Sequence, residues 1–450
     1  MIVNIWRGFR RRCGLMSCNT HDHVPRHCQS GLPWKTGQDR KVIVAASIGN
    51  ALELFDFTVF SFFAAIIGQQ FFPVASEAGQ LLLALATFGV GFVARPAGSV
   101  IIGSYADRHG RRAAMTLTIG LMVLGTALIG CTPPYSRIGI VAPIVIVAAR
   151  LLQGLSAGGE VGTSTAYLME SGALERRGFM VSWQMASQGA SILLGALFGF
   201  LLTRALSRDD LVAWGWRVPF IFGLLIGPVG LYIRRNLHET LVREESRRWP
   251  IAELLHRYVG RMGHGVLLII SGTTAVYILG FYMPLYAVKE LHLPQAASYL
   301  SGCAAGVAVM GGAIVSSCVL DHVRSRKTVL YATSGATLLL VYPLLAVVYY
   351  RPSIALLILV VFVIMFICAV GAAAFLLLIL EQFPAYIRVT GLSVIYAIGV
   401  TIFGGFAQFN VTWLIQATGN PMSLAWYLLG ASAISFFALF SFPEINAEQR

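Results

Sequence analysis

Residues 103–112 read GSYADRHGRR. Asp107, Arg108, Arg111 and Arg112 put four full charges into ten positions, with His109 among them. The flanks are nearly free of charge: residues 80–104 hold only Arg95, and residues 113–132 hold none. Roughly 20 apolar residues cross the hydrocarbon core of a bilayer as a helix. A charged knot between two such runs belongs at a water–lipid boundary.

Composition agrees with that placement. The 450 residues are 57% hydrophobic and only 12% charged, against about 25% charged in a soluble domain. Twelve candidate spans follow, at roughly 42–67, 80–104, 113–132, 138–169, 179–203, 214–233, 264–288, 296–320, 328–349, 353–380, 389–416 and 422–442. The runs are too long and too uniformly apolar for the roughly ten-residue alternating strands of a membrane barrel. The fourth and tenth look long enough to tilt or to reach past the lipid. The expected fold is an all-α membrane protein of twelve transmembrane helices.

Charge placement sets the expected orientation. Of the 33 Lys and Arg, 25 fall in the two tails and alternate connections on one side, 6 in the connections on the other, and Arg95 and Arg150 within spans. Positive residues accumulate on the cytoplasmic side, so both termini are expected inside. The same bias accounts for the formal charge of +13 without a nucleic-acid partner. Residues 1–41 have no apolar core before a cleavage site and so do not read as a signal peptide. They read as a disordered cytoplasmic tail, with Met16 as a second possible start. Cys18, His21, His23, His27 and Cys28 match no zinc spacing, and the seven cysteines, odd in number and irregularly spaced, suggest free thiols.

The halves repeat. YLMESGALERRGFMVSW (167–183) joins spans four and five, and LILEQFPAYIRVTGLSV (378–394) joins spans ten and eleven. Glu170 precedes Arg177 by seven residues, and Glu381 precedes Arg388 by seven. LDHVRSRK (320–327) occupies the place in the second half that the opening knot holds in the first. Internal symmetry of this kind marks transporters built from structural repeats. The expected organisation is a tail at 1–41, six-helix bundles at 42–233 and 264–442 about a pseudo-two-fold axis, a cytoplasmic central loop at 234–263, and a short tail at 443–450.

Five ionisable residues fall at lipid depth: Glu53, Asp56, Arg95, Arg150 and Glu160. Each would cost about 2.5–3.5 kcal/mol or more if it faced lipid, so each should face a cavity or another of the set. Glu53 and Asp56, three apart, share a helix face. Arg150, Gln153, Ala157 and Glu160 form one stripe on span four, beside glycines that allow close helix approach. Arginine suits a carboxylate ligand because its planar fork makes paired, charge-assisted bonds, and a carboxylate shut away from water can exchange a proton near neutrality. Buried ion pairing that only fixes packing is the structural alternative. Arg95, beside Pro96, could instead snorkel. Gln184, Gln188, Tyr277, Tyr282, Tyr396 and Gln408 could line the same cavity or simply pack.

The knot resembles the loop 2–3 signature of the major facilitator superfamily, G-x-x-x-D-[RK]-x-G-[RK]-[RK], at every specified position. GNALELFDFTVF (49–60), RLLQGLSAGGEVG (150–162), WGWRVPF (214–220) and EQFPAYIRVTG (381–391) resemble its metabolite:proton symporter branch. The resemblance implies a proton-coupled symporter of a small organic acid such as citrate or 2-oxoglutarate in the bacterial inner membrane, acting as a monomer by alternating access, with no cofactor. A proline or betaine symporter is the alternative; the branch's zwitterion carriers often have an acidic residue near the place of Gln184 and a long C-terminal coiled coil. A sensor on a transporter fold is more distant.

The resemblance also implies a conformational latch for the outward-facing state, made of Gly103, Asp107, Arg108, Gly110, Arg111, Arg112, Glu170 and Arg177. Its second-half counterpart is Asp321, Arg326, Glu381 and Arg388, with Arg324 where the family has glycine. A plain positive-inside anchor would explain the arginines but not the aspartate or the glycines. GVGFVA (89–94) fits a loose dinucleotide pattern but lies inside a span with no strand before it. No Walker, HExxH or CxxC sequence occurs, so neither an ATP-driven pump nor a membrane enzyme is expected.

Overall fold

The computed structural model describes residues 37–74, 76–171, 176–235, 250–320, 323, 325–384 and 386–442. Most of the N-terminal tail, Asp321 and Arg324 therefore lie outside the described residues. The described chain is helical, with no strand. Twelve spans result when the bent pair Gly37–Phe62 and Ala64–Phe71 is taken as one, α1; its two pieces meet at 70°. The others are α2 (Glu77–His109), α3 (Arg111–Cys131), α4 (Val141–Ser171), α5 (Arg177–Ala205), α6 (Val218–Arg235), α7 (Val259–Lys289), α8 (Gln295–Leu320), α9 (Arg326–Tyr350), α10 (Ile354–Glu381), α11 (Arg388–Thr418) and α12 (Ser423–Ser441).

Two six-helix bundles repeat one packing scheme. In the first, α4 packs on α2 and α3, and α3 on α6. In the second, α10 packs on α8 and α9, and α9 on α12. The bundles meet along α2 with α11 and along α5 with α8. Lipid offers no hydrophobic drive for helix association, so close packing of small residues supplies it. Gly154 shows this most sharply. A Cβ there would stand 1.5 Å from the Gly91 carbonyl oxygen, so the α2 and α4 backbones are in direct contact.

Three local features depart from the expected boundaries. The knot is not a loop: α2 runs on to His109, α3 starts at Arg111, and Gly110 alone separates them. Its φ of 103° lies where a side chain is strained. Next, α7 starts at Val259, and a short helix, Pro250–Arg257, precedes it, so the stretch read as the central loop is partly helical. Finally, α7 and α11 each contain a wide π turn, at Val276–Tyr282 and Thr401–Gly405. Such turns are frequent at functional sites.

The bundles touch at both ends of the molecule. At the end bearing the knot, here termed the basic end, Gly103 lies against Thr390. At the opposite end the Tyr299 hydroxyl donates to the Phe62 carbonyl at 3.2 Å. Between them lies a void of about 110 Å³. All five ionisable residues at lipid depth are buried, none more than 2% exposed.

Candidate substrate and proton site

Helix α2 is broken at Ala94, and the break places Arg95. Pro96 has no N–H, so the carbonyl one turn back, that of Phe92, loses its helical partner. The Thr401 hydroxyl, in the π turn of α11, donates to that carbonyl at 2.7 Å. The Ala94 N–H also donates to it, so the second bundle adds a second hydrogen bond at the break.

Arg95 does not snorkel. It is 1% exposed, and its Nη2 meets Glu53 Oε1 at 3.1 Å. Its guanidinium lies 4.2 Å from the Phe92 ring centroid and 4.9 Å from that of Phe57. Tyr277 and Tyr396, from the second bundle, face the same guanidinium. Its Nε and Nη1 have no hydrogen-bond partner. The two tyrosines, Leu54 and Gln188 form one end of the void, which runs on between α7, α9 and α10 to Thr333 and Ala369.

Glu53 and Asp56 leave α1 toward different partners. Asp56 accepts hydrogen bonds from the Thr126 hydroxyl and from Gln153 Nε2, the latter at 2.8 Å. Gln153 Oε1 in turn accepts from Arg150 Nη1 at 2.7 Å. Arg150 does not line the void. Its guanidinium is enclosed by the rings of Phe60, Phe57 and Phe88, at 3.9, 4.6 and 5.2 Å. Glu160, farther along the same stripe, turns to α3 and accepts from the Thr118 hydroxyl at 2.5 Å.

The polar candidates divide likewise. Gln188, Tyr277 and Tyr396 line the void. Gln184 is tied to α1 and α4: its carbonyl accepts from Asn50 Nδ2 at 3.1 Å and its Oε1 from Ser164 at 3.2 Å. Gln408 accepts from Ser61 at 2.8 Å, and the Tyr282 hydroxyl from Thr412 at 2.8 Å.

At the basic end, Asp107 joins both bundles. Its Oδ1 accepts from Arg111 Nη1 at 2.6 Å. Its Oδ2 accepts from the Thr390 backbone N–H at 3.1 Å and the Thr390 hydroxyl at 2.5 Å. Arg111 also grips Glu170 through Nε and Nη2, at 3.3 and 3.2 Å, and Arg388 approaches Glu170 across the interface at 3.8 Å. Sequence reasoning expected these charges to act within one half; the structure joins the halves with them. Arg108 and Arg112 lie on the surface, while Arg177 and Glu381 sit within electrostatic reach of Arg388. In the second half, Arg326 bonds the Leu320 carbonyl much as Arg111 bonds that of Ala106.

Sequence reasoning passed over Thr390, Thr126, Thr118, Thr401 and Asn50, because a hydroxyl or amide in an apolar run gives no charge signal. It also passed over helix Pro250–Arg257, whose Glu253 accepts from the Tyr386 hydroxyl at 2.9 Å. Partial burial and the neighbouring carboxylate push the Tyr386 phenol up, so that it stays protonated and donates.

Two repeated six-helix bundles with a void between them and buried ion pairs nearby define a membrane transporter rather than an enzyme. The chain belongs to the major facilitator superfamily, whose family model matches residues 46–400. It is 35% identical over 401 residues to the citrate-proton symporter of Klebsiella pneumoniae, covering 88% of this chain and 90% of that one. It is 31% identical over 440 residues to a protein of Staphylococcus aureus (strain COL) named provisionally as a proline/betaine transporter, covering 91% and 92%. The structure of the proton:xylose symporter XylE of E. coli superposes with a TM-score of 0.74 over 91% of this chain and 97% of that one, at 16% identity, which establishes the shared fold.

Proposed function

We propose that the protein couples proton entry to uptake of a small carboxylate by alternating access, in a bacterial inner membrane with both termini cytoplasmic. The observation that carries this reading is the buried Glu53–Arg95 pair beside Tyr277 and Tyr396, two tyrosines that line the void. Arginine is the side chain best shaped for a carboxylate, and in the empty protein Glu53 holds it. A proton on Glu53 weakens that hold and turns Arg95 toward the arriving carboxylate. The proton and the anion therefore enter together. The Asp107–Arg111–Glu170 network, tied to Thr390 and Arg388, holds the cytoplasmic side shut until the loaded protein rocks. Each chain carries a complete site, which suits a monomer. Similarity to the Klebsiella protein named for citrate supports a carboxylate cargo; similarity to the Staphylococcus protein keeps a zwitterion as the second reading.

Uptake by proteoliposomes of a labelled panel (citrate, 2-oxoglutarate, simple monocarboxylates, proline, betaine) with and without an imposed proton gradient tests it. Gradient-driven accumulation of a carboxylate is expected. Glu53→Gln should keep exchange but lose the response to the gradient, and Arg95→Gln should abolish carboxylate uptake. Accumulation indifferent to the gradient, or preference for betaine, overturns the reading.

A further inference from the structure

No Asp, Glu, Lys, Arg or His is among the described residues that line the void. A carboxylate that enters it is met by neutral groups, and a buried charge needs hydrogen-bond donors. Hydroxyls are plentiful there, but several have their protons engaged. Thr333 and Thr337 donate to carbonyls of their own helix, each at 2.9 Å, and Ser271 shares a hydrogen bond with Ser432 at 3.3 Å.

Tyr277 and Tyr396 stand differently. Both line the void, and both face the guanidinium of Arg95, which is not itself part of the lining. Tyr277 belongs to the π turn of α7. Its ring lies 5.2 Å from that of Phe92, centroid to centroid, and the Arg95 guanidinium lies 4.2 Å from the same Phe92 centroid. Gly404, in the π turn of α11, leaves room for the tyrosine: a Cβ there would come within 2.7 Å of its ring. The two wide turns therefore meet at Tyr277. Gln188, beside Tyr396, lines the void as well, and its Nε2 has no hydrogen-bond partner.

Resting on the proton-coupled carboxylate reading, we infer that the hydroxyls of Tyr277 and Tyr396 receive the cargo's carboxylate, and that Arg95 acts on it through them as a positioning residue. A cation behind a phenol polarises its O–H, and linked hydrogen bonds strengthen one another away from water. Tyrosine hydroxyls serve as oxyanion donors for the same reason. In the empty protein the Glu53 carboxylate offsets Arg95. A proton on Glu53 removes that offset, and the phenols then feel the full guanidinium charge, which a low dielectric transmits strongly. The cation and the proton carrier belong to the first bundle, the phenols to the second. The carboxylate is thus held fully only where the bundles meet, so cargo, proton and closure are joined at one place.

Calorimetry on the purified full chain in lipid nanodiscs at acidic pH tests this, with citrate and 2-oxoglutarate as probes. Tyr277→Phe and Tyr396→Phe keep the ring packing and remove only the hydroxyl. Each is expected to weaken binding about tenfold or more, as loss of a hydrogen bond to a charged group does. Replacing either tyrosine by 3-fluorotyrosine, whose phenol is more acidic, should tighten binding, a response that a packing role would not give. Arg95→Lys should cost affinity in the unaltered background and little in the Tyr277→Phe/Tyr396→Phe background, because its effect passes through the phenols. Unchanged affinity in both Phe variants overturns the inference and leaves carboxylate transport standing. So does a loss in Arg95→Lys that persists in full without the hydroxyls, since Arg95 would then reach the cargo directly. So does fluorination that weakens binding as much as Phe does. Failure of the unaltered protein to bind either probe overturns the carboxylate reading and the inference together.

Discussion

The carboxylate of Asp107, at the end of α2, accepts hydrogen bonds from both the backbone and the hydroxyl of Thr390, at the start of α11. These residues lie 283 positions apart and in different bundles, so their contact must break for the basic end to open. Hydrogen bonds to a charged group contribute about 1.5–3 kcal/mol, enough to bias the two states roughly tenfold or more. Asp107→Asn is expected to populate the form open at the basic end. Spin labels on Arg112 and Lys327, read by pulsed dipolar spectroscopy, should report a longer distance. An unchanged distribution would mean the contact does not hold that end shut.

The two buried arginines should respond differently to the same change. Arg150 lies in a cage of phenyl rings with Gln153 between it and Asp56. Arg150→Gln leaves the buried Asp56 without its nearest cation and should cost about 3–5 kcal/mol of stability, seen as a lower Tm, with carboxylate affinity changed less than in Arg95→Gln. Equal losses of affinity in two equally stable variants would place Arg150 at the ligand.

Gly154→Ala should be among the most damaging small substitutions in the chain. The added methyl would meet the Gly91 carbonyl oxygen at 1.5 Å, and overpacking of this kind costs about 1–3 kcal/mol or more. Thermal denaturation in detergent is the measurement. Gly120→Ala, with open space around its Cβ position, is the control and should leave Tm unchanged.

Thr401→Val removes the donor to the Phe92 carbonyl at the α2 break. The carbonyl keeps its bond from the Ala94 N–H, so losing one hydrogen bond costs about 0.5–1.5 kcal/mol, and the cost falls only on the state in which the bundles meet there. The variant should alter the balance of states more than it alters overall unfolding. Pro96→Ala with Thr401→Val should restore part of the loss, because the new N–H can supply a helical donor to that carbonyl.

The knot, the spans and the repeat were legible because charge in hydrocarbon is expensive and its placement therefore patterned. The five ionisable residues at lipid depth were legible for the same reason, and all proved buried. What surrounds each buried arginine was not. Arg95 and Arg150 look alike in a linear chain, and their surroundings are set by rings and tyrosines on other helices. The 70° bend in α1 was equally hidden, since neither proline nor glycine stands at Phe63 to announce it. Thr390 went unnoticed because its importance comes wholly from the aspartate opposite.

The backbone contact between Gly91 and Gly154 bears on how the proposed gate would let go. Both pieces of α2 are seated on α4, the second through Gly98 against Leu155 and Gly158 against the Arg95 carbonyl. Asp107 and Glu170 therefore ride on one stiff beam, and their ties to Thr390 and Arg388 must part in the same stroke. The proposed gate is then a single catch with two teeth, and its release is expected to be abrupt where two separate fastenings would yield in stages.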